Sequence, residues 1–254
     1  MRSDRLSPLA ANDAAYVLAE VERFEPHWLL VLPYVPRDIR GAWLAVLGFF
    51  AEILTIPSRV SNPVLGSIRV AWWREAIGEV YGEGPARQHP AVLALVASVA
   101  ERYFIRPHLD QALDALAPFL EPGDDLDLGD ALTKRSALYG AMAAALDELD
   151  GREPTSGDAL TFHALAQIKA DPTASATAEG PEPIARRFAR ALAARPEMRD
   201  ELVQRLSSFR RQPSQSQPLS AAPLALLRAS KRQAHVVQNP FVQRLVIFRA
   251  VLTG

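Results

Sequence analysis

The sequence predicts an all-α fold. Apolar residues recur at three- and four-residue intervals in nearly every segment between prolines, and the alternating Val/Ile/Thr runs of a sheet are missing. With 254 residues, 49% hydrophobic and 22% charged, the chain can bury a sizeable core, and one domain spanning 1–254 is the simplest organisation.

In chain order, Asn12 or Asp13 is placed to cap a first helix running to about Phe24. Pro36 is placed to open a second, with Trp43, Val46, Leu47, Phe50 and Leu54 on one face, and Pro57 to stop it. The apolar run Gly41–Ile56 is broken by Glu52 and falls short of the roughly 20 residues a spanning helix needs. It reads as a core helix. Asn62-Pro63 marks a third helix continuing to Tyr81, whose expected inward stripe is Leu65, Ile68, Trp72, Ala76 and Val80. In that reading Trp72 is the core anchor, while Trp73 and Arg74 face a partner. Further helices are expected at 90–103, 107–120, 129–149, 158–170, 183–194, 196–210, 220–231 and 240–252, with loops at 171–183 and 211–223, which are rich in proline and small polar residues.

Composition excludes several chemistries. Without cysteine there is no disulfide, thiolate metal site or thiol nucleophile. A formal net charge of −1 gives no overall attraction to nucleic acid, so no nucleic-acid partner is expected. The N-terminus has no continuous apolar stretch of the secretory kind, which leads to a cytoplasmic expectation. His27, His89, His108, His163 and His235 form no metal-ligand spacing, and no phosphate loop or nucleophile elbow occurs, so neither metal nor cofactor is expected. The acid cluster Asp124–Asp130 precedes a helix, where aspartates cap free N–H groups; cation binding is the competing reading. Arginines from Arg186, Arg187 and Arg190 to Arg211 form either a solvated face or a partner surface.

Three stretches carry a resemblance: "LPYVPRDIRGAWLAVLGFF" (32–50), "WWREAIGEVYGEG" (72–84) and "QHPAVLAL" (88–95). In this order they resemble the squalene/phytoene synthase family from about residue 27 to 150. The resemblance implies an isoprenoid-synthase bundle, in which active members couple prenyl diphosphates through magnesium held by two aspartate-rich motifs. It assigns the first motif's acid positions to Leu54, Thr55 and Ser58, none of which is an acid, and leaves only Asp171 near the second. Carboxylates at i and i+4 share a helix face and hold hard cations, which leucine and hydroxyls cannot do.

Residues 49–77, "FFAEILTIPSRVSNPVLGSIRVAWWREAI", are also similar to the family's non-catalytic branch, typified by a mitochondrial respiratory complex I assembly factor. That similarity implies a pseudoenzyme that acts as an accessory subunit or assembly factor. Its expected partners are subunits of the complex I peripheral arm or assembly intermediates, which would place it at the periphery of the inner membrane without a transmembrane segment. The expected contact residues are Trp73, Arg74, Arg186, Arg187 and Arg190. Two alternatives stay open: an active synthase recruiting Asp124, Asp125, Asp127 or Asp171, and a non-catalytic isoprenoid- or lipid-binding module.

Overall fold

The computed structural model describes residues 10–24, 26–60, 62–120 and 128–151, and among these every regular element is helical. α1 spans Ala11–Phe24, the short α2 Pro26–Leu29, α3 Arg40–Arg59 and α4 Pro63–Val80. α5 (Pro90–Val99), α6 (Arg106–Leu116) and α7 (Leu128–Leu149) follow. The helices expected after residue 151 and the two late loops lie outside the described residues, as does the single-domain reading of the whole chain.

α3 is the central element. Trp43, Val46, Leu47, Phe49, Phe50 and Ile53 are all fully buried, so the helix is covered on nearly every side, by α1, α5, α4 and α7. Arg40–Pro57 is long and apolar enough to cross a membrane, yet most of it is buried inside the bundle, as the sequence led us to expect of a core helix. α1 approaches α3 closely: a Cβ on Gly48 would collide with the Val17 side chain, so the missing side chain at 48 sets the helix separation.

Several boundaries differ from expectation. α1 starts at Ala11, which puts Asp13 in its first turn, where an acid complements the helix dipole. α3 opens at Arg40 because Pro36 is used in a turn, the Ile39 N–H donating to the Pro36 carbonyl at 3.3 Å. The Arg40 guanidinium fastens that turn through 2.8 Å and 3.2 Å bonds to the carbonyls of Val35 and Pro33. Pro57 does not stop α3. It lies within the last turn, where its missing N–H removes one hydrogen bond close to an end that carries unsatisfied groups anyway.

The start of α4 is as expected: Asn62 caps it, its side chain accepting from the Val64 N–H at 2.8 Å, with Pro63 in the first turn. α5 stops at Val99, short of 103, where the chain turns: the Arg102 N–H donates to the Val99 carbonyl at 2.8 Å, and a 3-10 turn at Tyr103–Ile105 leads into α6, which takes Pro107 in its first turn. Asp130 falls in the first turn of α7, whereas Asp124, Asp125 and Asp127 lie outside the described residues.

The expected inward stripe of α4 is corrected. Leu65 and Ile68 are exposed and Trp72 is half-buried, while Val70, Trp73, Ile77 and Val80 point into the core, with Ala76 and Val80 the two members of the expected stripe that are buried. The physical reason is that α4 is apolar on both faces, so spacing alone defines two stripes and cannot choose between them. What covers each face decides it.

Candidate functional site

Trp73 does not face a partner. At 4% exposure it is a core residue, set edge-on to Phe49 of α3 with ring centroids 5.3 Å apart and edge-on to Trp72 at 5.1 Å. Arg74 is on the surface as expected, where it reaches across to α6 and pairs with Asp114 at 2.8 Å. Arg186, Arg187 and Arg190 lie outside the described residues.

Around Trp72 the structure builds an aromatic cluster. His89, the residue before α5, lies 5.4 Å from Trp72, 5.7 Å from Trp73 and 5.7 Å from Tyr16 of α1, each ring edge-on. Aromatic quadrupoles favour this edge-to-face geometry. The buried Nδ1 of His89 has no hydrogen-bond partner. The loop leading into His89 is fixed by Arg87, whose guanidinium stacks on Trp72 at 4.7 Å and donates to Glu79 at 2.8 and 3.0 Å, to Glu75 at 3.1 Å and to the Trp72 carbonyl at 3.1 Å. The Arg87 side-chain bond holds the Glu79 carboxyl below its ordinary range, and the same contact raises the Arg87 guanidinium.

A second constellation also includes Tyr16, through its hydroxyl. Glu52, the one acid interrupting the apolar run of α3, is buried and accepts from the Tyr16 hydroxyl at 2.6 Å. Arg59, seven residues on and therefore on the same face of α3, stands 3.5 Å from Glu52 and 2.9 Å from Glu20 of α1. Arg23 also pairs with Glu20. Burial, then the bond to Glu52, pushes the Tyr16 phenol above its usual value, so it remains a protonated donor. The sequence signal for this group was the isolated Glu52; Tyr16 and Arg59 had none, since a tyrosine and an arginine on amphipathic helices are unremarkable until the helices pack.

At the positions that the resemblance assigned to acids, Leu54 and Thr55 are partly buried, and the Thr55 hydroxyl donates back to the Glu52 carbonyl at 2.8 Å. Among the described residues, no three His, Cys, Asp or Glu side chains gather in a way that could hold a metal ion.

No curated protein and no solved structure matches the chain. Residues 23–137, which run from the end of α1 into α7 and include Glu52, Arg59, Trp72, Trp73, Arg87 and His89 but not Tyr16 or Glu20, match the family model for squalene/phytoene synthase, and the described residues have the all-α architecture of that family's fold.

Proposed function

We propose that the protein is a catalytically silent member of the squalene/phytoene synthase group that works through protein contacts, as an accessory subunit or assembly factor of respiratory complex I. The observation that carries the silent reading is the donor set on α3. Leu54, Thr55 and Ser58 offer one alkyl chain and two neutral hydroxyls where diphosphate chemistry needs carboxylates, and Thr55 already spends its hydroxyl on its own helix. Glu52, the nearest acid, is taken by Tyr16 and Arg59. This donor set does not fit magnesium.

The partner half of the proposal rests on the similarity of residues 49–77 to the complex I factor and on the arginine-dense late sequence, which suits an acidic partner. Association through complex I would hold the protein on the cytoplasmic side of the inner membrane without a spanning helix of its own.

A second reading keeps the family's chemistry, and the match over residues 23–137 favours it because the family is normally enzymatic. One assay separates the two: release of inorganic pyrophosphate from farnesyl or geranylgeranyl diphosphate with Mg²⁺. We expect no release above a blank without protein; sustained turnover overturns the silent reading. Purification from the native cell, followed by mass spectrometry, tests the partner, and peripheral-arm subunits are the expected companions.

A further inference from the structure

We draw no further inference here: the strongest candidate, the apolar patch that exposed Val64, Leu65 and Ile68 form on the outer face of α4, carries none because nothing in the structure shows what covers it.

Discussion

Trp72 and Trp73 are adjacent, yet 100° of helix rotation gives them different environments, and their substitution should separate them. Trp73→Ala removes a ring packed against Phe49 and surrounded by core, and should cost roughly 3–5 kcal/mol. Trp72→Ala should cost less, because that ring is half-buried and its principal contacts are Arg87 and His89. Chemical denaturation of both variants checks the order; equal losses would show that Trp72 is equally embedded. Tyr16→Phe deletes only the hydroxyl that Glu52 accepts from, and should cost about 1–2 kcal/mol while leaving helix content unchanged by circular dichroism. The two tryptophans also show where sequence reading stops. Residue type and spacing placed both on one helix and required one of them to be inside, but the choice between them depends on which face α3 and α6 cover, a contact made over long sequence separation.

At the level of elements, the late part of α4 and the loop before α5 behave as one unit tied by Arg87. The folded Glu79 carboxyl lies below its ordinary value of 4.5 because Arg87 donates to it, so its contribution to stability is complete above that value and is lost as pH falls through the folded one. Glu79→Gln should therefore lower the melting temperature near neutrality, where the ionised carboxylate contributes in full, and flatten the acid-side decline below about pH 4.5, so that the two proteins converge at low pH. If the decline stays as steep, Arg87 holds the loop through Trp72 alone. Asp110 shifts in the opposite direction, raised chiefly by burial, so it opposes this trend in both proteins and cancels in their difference. Element positions were largely legible in the sequence, as Asn62-Pro63 shows for α4, because a cap and a first-turn proline act locally. Pro36 and Pro57 misled for a related reason: a proline limits its own turn but does not say whether that turn begins a helix, ends one or sits just outside.

For the whole molecule, the sequence made the similarity of residues 23–137 to the matched family visible through short motifs at the right intervals, whereas of the Tyr16–Glu52–Arg59 group it showed only the isolated Glu52, because the group joins residues from two helices. The partner surface is tested at this scale. Reversing Arg186, Arg187 and Arg190 together to glutamate should reduce recovery with complex I, leave the melting temperature nearly unchanged, and weaken the salt dependence of association. Full co-migration of the triple variant on a native gel would assign those arginines to solvent.

The packing of α1 against both α3 and α5 bears on how the chain emerges during synthesis. α1 is complete at Phe24, but its second neighbour is not finished until Val99, an interval on the order of ten seconds at typical elongation rates. α3 arrives first, so Val17 can seat over Gly48 and Tyr16 can reach Glu52 while the other flank of α1 is still open. His89 and α5 then close that flank. A nascent chain that has emerged only as far as residues 60 to 89 would hold α1, α2 and α3, with α4 forming, and leave the side of α3 that α5 and α7 cover open, so slowing elongation at that stage should favour aggregation of the nascent chain more than slowing it after α5 has emerged.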